Sequence, residues 1–429
     1  MAESIRVILP KKYDLVVGDT FQLFYRGVIE APNPYVYSIV TICEKGKNFP
    51  RYFEYTPEEP GTHKLLLNIY DAARNLVGSG ETTLQVVAAK APKKTVNVLC
   101  IGDSLTQAGY WINEVNRRIT AEGGAPCGHG FQNAVRFVGS HKTGEVANEA
   151  YGGWQWNSFL TNRPGAMWVE YPNNLSADNQ HSIWKDVNGA LWQLETLQID
   201  YLKFNRYLDH DAPVPACGPL VHEKNAVNTD PIYFKSASLA GASPFYNEEK
   251  KDIDIAAYAK KNAIETIDVV YILLGCNGLM SQEAMTLSRP EYCKTVVETG
   301  KQLVSKIKEA FPDVQVKILG QPGHSMNGGM GANYGAELPF TDSYEILHYN
   351  KELDLAYQAW CMEDGWKDYV EFINLSGQFD CEYNMPASPK PVNTRSKTTE
   401  IVGTNGHHPT MEGYMQIADA VYRNLMGCL

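Results

Sequence analysis

The run Val96-Asn97-Val98-Leu99-Cys100-Ile101 leads directly into Gly102-Asp103-Ser104-Leu105. A short, nearly continuous apolar run rich in β-branched residues reads as a strand buried on both faces. Gly102 ends it, and an amphipathic helix is predicted from about Tyr110. The turn therefore exposes the Ser104 hydroxyl near a helix start, where unpaired backbone N–H groups can face a developing oxyanion. About three hundred residues later the chain reads Asn405-Gly406-His407-His408-Pro409, again just before a predicted helix. A free serine hydroxyl is a poor nucleophile and needs a base within hydrogen-bond reach. A serine at a strand end with a late histidine is the skeleton of a serine hydrolase. The competing reading is that Ser104 only caps its turn and the histidines lie on the surface.

Outward from that strand, apolar runs at Val135–Val138, Val269–Leu274, Val314–Leu319 and Val370–Leu375 alternate with helical stretches. The clearest helices are predicted at Tyr292–Phe311, Tyr344–Met362 and Met411–Leu425. Strand–helix alternation with continuous apolar strands predicts an α/β fold with a parallel sheet covered on both faces. In such sheets reactive groups collect at the carboxyl ends of the strands, and Ser104 and Asn277 both lie just past such ends. Residues 1–90 read differently. Short alternating runs at Phe21–Tyr25, Tyr35–Val40, His63–Leu67 and Thr82–Val87, punctuated by Gly, Pro and Asn, predict a small all-β sandwich of Ig-like size. The stretch from Ala88 to Lys94 is a plausible linker, so the hydrolase-like domain is expected over 95–429. Within it, about 155–265 is irregular and rich in Asn, Pro, Tyr and Trp. That pattern fits an insertion beside the site or a surface elaboration with no role.

Bulk properties narrow the function. At 429 residues the chain suits two domains. A net charge of −11 argues against nucleic acid or an anionic membrane surface as the main partner. No apolar run reaches the roughly 18 residues a membrane helix needs. The start, Met1-Ala2-Glu3-Ser4-Ile5-Arg6, lacks the basic opening and apolar core of a signal peptide, which points to the cytoplasm unless a leader has been trimmed. Nine cysteines without paired short spacings read as free thiols. No cluster of His, Cys, Asp or Glu has metal-ligand spacing, so neither a metal nor another cofactor is expected.

Two further segments carry chemistry. Gly275-Cys276-Asn277-Gly278 follows a strong strand, and the Asn277 side-chain amide there can donate to an oxyanion, although an asparagine in a turn is ordinarily structural. In Tyr151-Gly152-Gly153-Trp154 a glycine lets a ligand approach a backbone N–H. Trp154 and Trp156 can stack on a sugar face or pack in the core. Asp103 reads as a brace for the turn.

Together these four segments, in this order, resemble the SGNH, or GDSL-type, hydrolase family over roughly residues 95–429. The resemblance implies a three-layer αβα, flavodoxin-like fold. It also implies Ser104 as nucleophile, His408 (or its neighbour His407) as general base and then acid, and an oxyanion hole. That hole would use the backbone N–H groups of Ser104 and Gly153 and the amide of Asn277, with Gly152 in place of Gly153 if the loop is shifted by one. Two departures stand out. Gly278 occupies the position after Asn277 where the family usually has aspartate. Asn405 stands three residues before His408 where the family has the acid that orients the imidazole. Three readings follow: a Ser104–His408 dyad supported by Asn405 or a backbone carbonyl; a different acid, Asp380 or Glu382, reaching in; or a weakened enzyme. The expected activity is carboxylic ester hydrolysis on a small-molecule or carbohydrate ester, with removal of acetyl groups from sugars the nearest family resemblance. A lipase or thioesterase for longer acyl chains is the second reading, and a glycan- or protein-binding protein with a degenerate hydrolase domain the third. Oligomeric state is not legible.

Overall fold

The computed structural model describes residues 4–170, 182–187, 189–197, 201–206, 218–222, 232–234, 238–247, 249–280, 287–334 and 343–429. It is a mixed α/β structure with several sheets. The chain divides into two compact units, one of residues 1–155 and 264–429, the other of 156–263.

In the first unit, β1 (Lys12–Val16), β3 (Ser38–Ile42), β6 (Gly61–Tyr70) and β7 (Leu76–Val87) form a sheet in the order β1-β7-β6-β3. A second sheet joins β2 (Phe21–Phe24), β4 (Lys47–Asn48) and β5 (Tyr52–Tyr55) in the order β2-β5-β4. Alternate residues of the two sheets, among them Leu15, Leu23, Phe53, Leu65, Leu67 and Leu84, meet in one buried cluster. Most of these pairings are antiparallel, but β1 runs parallel to β7, Lys12 opposite Thr83 through Val16 opposite Val87. Residues 1–90 do not stand apart from the rest of their unit. Asp19 is held by Arg118 and by Arg423 (Nε–Oδ2 2.5 Å), Tyr13 donates to Asn374 at 3.0 Å, and Asn424 donates to Asp14 at 2.7 Å.

The sheet that carries the serine is built on β8 (Val96–Gly102). One edge of β8 is shared by two parallel partners: β9 (Val135–Val138) along its first half, and β11 (Val146–Ala150) at Ile101 and Gly102. A short strand, β10 (His141–Thr143), pairs antiparallel with β11. On the other edge, β12 (Val269–Leu273), β13 (Gln315–Leu319) and β14 (Val370–Ile373) follow in parallel register. Every residue of β12 is buried, so both faces of the sheet are covered. One face is identifiable from its side chains. Val98, Cys100, Tyr271 and Leu273 pack with Trp111, Ile112 and Val115 of the helix Tyr110–Thr120 and with Ile417, Val421 and Leu425 of the helix Met411–Cys428. Each such fully buried aliphatic side chain contributes about 1.5–3 kcal/mol. The long helices Arg289–Ala310 and Ser343–Met362 pack on each other. The first begins in a capping box between Ser288 and Glu291, which satisfies the orphan N–H groups of its first turn.

Connectivity explains where a site can form. From β8 the chain goes first to one edge and then crosses to the other, so the strand order reverses at β8. In parallel sheets that reversal opens a crevice beyond the carboxyl ends of the strands.

The second unit contains a seven-stranded antiparallel sheet in the order Ile232–Phe234, Gly218–His222, Ile183–Lys185, Leu191–Leu197, Tyr201–Arg206, Asn162–Glu170 and Ser238–Ala242. Trp184 and Trp192 are buried there, and the Trp192 indole donates to Asp186 at 2.8 Å. Parts of the expected insertion fall outside the described residues. No helix among the described residues is long and apolar enough to cross a membrane. The eight described cysteines are free thiols, and Cys217 lies outside the described residues.

Candidate active site

Ser104 stands at the first position of a one-turn helix, Ser104–Gln107, immediately after β8. Asp103 caps that turn, its Oδ1 accepting the Leu105 N–H at 3.0 Å. His408 enters from the loop before the helix Met411–Cys428, and its Nε2 lies 2.9 Å from Ser104 Oγ. Two residues 304 positions apart are thus in hydrogen-bond contact. With the serine hydroxyl donating, Nε2 is the free lone pair and Nδ1 carries the ring proton. Burial lowers the His408 pKa below the ordinary histidine value, so the ring is neutral and ready to accept a proton at pH 7.

Asn405 does not orient that ring through its carbonyl oxygen, contrary to one expectation from sequence. Its Oδ1 accepts the backbone N–H groups of His407 and His408, each at 2.9 Å. This is a side-chain-to-backbone turn that shapes the loop. The alternative acids are also engaged elsewhere. Asp380 accepts from Arg51 at 2.5 Å, and Glu382 accepts from Arg51 at 3.1 Å and from the Tyr35 hydroxyl. Both serve the contact between residues 1–90 and the α/β part. His407 is turned away from Ser104, with its Nδ1 3.1 Å from Cys276 Sγ.

Asn277 lies in the one-turn helix Cys276–Leu279 that follows β12. Gly275, just before it, has φ +126°, a backbone conformation L side chains rarely adopt, and a Cβ there would meet Leu353 and Tyr357. The Asn277 amide donates to Asp103 Oδ2 at 3.0 Å and to the Trp154 carbonyl at 3.2 Å. Both amide hydrogens are therefore engaged in this state, and an oxyanion would have to displace the longer bond. Asp103 thus braces two things at once, the serine turn and Asn277. Burial raises its pKa to about 7, against the Leu105 N–H, which favours the charged form. The glycine at 278 has a steric cause, because a Cβ there would collide with the Tyr292 hydroxyl.

Gly152 gives its N–H to Gln107 Oε1 at 2.7 Å, which leaves Gly153, at φ +77°, as the open position of that loop. Among the described residues the N–H groups of Ser104 and Gly153 have no hydrogen-bond partner. Of the two readings of the tryptophans, stacking face or core, the structure shows the second. Trp154 is 6% exposed and packs on Tyr151, with ring centroids 4.3 Å apart, while Trp156 is 2% exposed and belongs to the second unit. Their bulk is spent on packing.

Three contributors escaped the sequence reading. Gln107 fixes the Gly152 N–H across 45 residues. Cys276 and His324 are buried beside His407. His324 follows the end of β13, and that position past a parallel strand was the signal available for it.

No family profile and no curated protein sequence matches the chain. Solved structures similar to it are carbohydrate esterases and lipase-like hydrolases. One is a carbohydrate esterase family 3 protein from Talaromyces cellulolyticus, at 14% identity and TM-score 0.38 over 78% of this chain and 97% of that one. Another is Est24, a carbohydrate acetylesterase from Sinorhizobium meliloti, at 13% identity and TM-score 0.32 over 78% and 100%. A third is a carbohydrate esterase family 2 enzyme with a carbohydrate binding domain from Corynascus thermopiles, at 12% identity and TM-score 0.31 over 99% of each chain. At such scores the likeness assigns no activity to this chain.

Proposed function

We propose that this chain is a serine-dependent carboxylic ester hydrolase. The observation that carries the reading is the 2.9 Å contact between Ser104 Oγ and His408 Nε2. His408 takes the hydroxyl proton as Ser104 attacks the ester carbonyl, and the N–H groups of Ser104 and Gly153 receive the oxyanion, with Asn277 as a third donor. Collapse expels the alcohol, protonated by His408, and leaves an acyl-serine. Water, activated by the same imidazole, then releases the acid. Because no carboxylate among the described residues contacts His408, the machinery is a dyad, with Asn405 setting the loop and not the charge.

We read the architecture as the three-layer αβα, flavodoxin-like arrangement of the SGNH family. In this reading residues 1–90 form an Ig-like sandwich, 95–429 the hydrolase domain, and about 155–265 its insertion. Removal of acetyl groups from carbohydrate rests on the sequence resemblance. Hydrolysis of p-nitrophenyl acetate, butyrate and octanoate by wild type and Ser104→Ala tests the whole. Acetate turnover lost in the variant is the expected result. Equal hydrolysis by both proteins on every ester would overturn the serine mechanism, and a preference for octanoate would overturn the acetyl reading.

A further inference from the structure

Behind the Ser104–His408 pair lies a group of side chains that the proposed reaction does not use. Cys276, His324 and His407 are all buried, and a sulfur and two ring nitrogens lie within 4.8 Å of one another. Cys276 Sγ is 3.1 Å from His407 Nδ1 and 3.8 Å from His324 Nε2. The residues come from three separate segments, the one-turn helix Cys276–Leu279 after β12, the loop past β13 and the loop before the last helix, which is why their sequence spacing gave no signal.

We propose that Cys276 Sγ, His324 Nε2 and His407 Nδ1 form a binding site for one zinc-class divalent cation. With Zn–S near 2.3 Å and Zn–N near 2.0–2.1 Å, tetrahedral geometry sets S···N at about 3.5 Å. The two distances here straddle that value, so a shift of a few tenths of an ångström seats the ion. The tautomer of His324 also suits it, whereas Nε2 of His407 is buried with no hydrogen-bond partner among the described residues. His324 Nδ1 lies 3.1 Å from the Gly406 carbonyl, which can only accept, so Nδ1 carries the proton and Nε2 presents its lone pair to the sulfur. A backbone carbonyl on the far nitrogen is the usual outer support of a metal-bound histidine. In the metal-free protein a single thiol proton faces two imidazole nitrogens and can serve only one of them. The cation satisfies both, displacing the thiol proton to solvent with no change of oxidation state. The thiolate cancels one unit of its charge. Thiolate and imidazole together select zinc over magnesium or calcium. The other such trio among the described residues, Glu30, His348 and Glu352, is already bridged by the Arg6 guanidinium.

Two of the ligands, Cys276 and His407, directly precede Asn277 and His408 in the chain, so the ion would tie the one-turn helix after β12 to the loop that carries the base. This inference stands whether or not Ser104 acts on esters. Its test is metal content. The full chain is stripped with chelator, loaded with Zn²⁺ and dialysed, and zinc is counted by elemental analysis. A parallel sample is loaded with Co²⁺ for absorption spectroscopy. The expected results are one zinc per chain, a sulfur-to-cobalt charge-transfer band, and a rise in Tm on loading. All three should be lost in Cys276→Ser, an isosteric change whose fold is checked by circular dichroism, and in the double variant His324→Ala/His407→Ala. Wild type retaining no more zinc than Cys276→Ser, or a cobalt spectrum without the sulfur band, would overturn the site.

Discussion

Replacing Asn405 with alanine separates a loop-shaping residue from a member of a catalytic triad. The structure gives Asn405 two bonds to lose, from its Oδ1 to the N–H groups of His407 and His408 at 2.9 Å each. At about 0.5–1.5 kcal/mol apiece, they amount to about 1–3 kcal/mol of loop stabilisation. Only the part that displaces the imidazole enters the barrier. Turnover should therefore fall about tenfold, with a ceiling near 100-fold at about 1.4 kcal/mol per decade. A residue holding the imidazole as the aspartate of a serine protease does would instead cost about 10⁴. His408→Ala should cost about 10⁴-fold or more, since it removes the base itself. The assay is steady-state hydrolysis of p-nitrophenyl acetate, with kcat and KM resolved for wild type, Asn405→Ala, Asn405→Asp and His408→Ala, alongside Tm. Asn405→Asp keeps both acceptor bonds and should stay within a few fold of wild type. A kcat for Asn405→Ala as low as that of His408→Ala, with Tm little changed, would refute the argument and return Asn405 to the imidazole.

Three other outcomes follow from the geometry. Burial lowers the His408 pKa, and the neutral ring is the active form, so the acid limb of kcat/KM should lie below pH 6.5, the ordinary histidine value. A limb at pH 7 or above, read from a pH–rate profile, would mean that a carboxylate reaches the ring. Gly278→Asp, which restores the family residue, should lower stability by about 1–3 kcal/mol and also cut kcat, because its Cβ meets the Tyr292 hydroxyl and displaces Asn277; urea unfolding that shows no loss would contradict this. Asp19→Ala breaks a buried charge cluster and should cost about 3 kcal/mol, the low end of such losses. Arg118 keeps Asp419 at 2.5 Å, and Arg423 keeps Gln378 at 3.1 Å and the Thr20 carbonyl at 2.7 Å. A shift in the urea midpoint corresponding to under 1 kcal/mol would show that the cluster does not anchor residues 1–90.

What the sequence by itself determined is what depends on neighbours a few residues apart. The run Val96–Ile101 had to be a buried strand because it offers no polar face, and the observed strand ends one residue later, at Gly102. The runs around Val135, Val269, Val314 and Val370 are strands as well, being short and mostly apolar, and the periodic stretches near Tyr292, Tyr344 and Met411 are helices. Placing Ser104 at a strand end and His408 before the last helix needed only those local signals. Contacts between distant segments were decided by the tertiary structure. Asp380 and Glu382 read as free acids until the fold set Arg51 against them. Asn277 read either as an oxyanion donor or as a structural turn residue until the fold gave both its hydrogens to Asp103 and Trp154. Trp154 and Trp156 read equally as sugar platforms or core residues until the fold buried them. The parallel seating of Lys12–Val16 beside Thr83–Val87, and the meeting of Cys276 with His324 and His407, have no local signature at all. A side chain's short-range preferences are written in its own segment, whereas its partner is whichever distant group the packed core leaves within 3 Å of it.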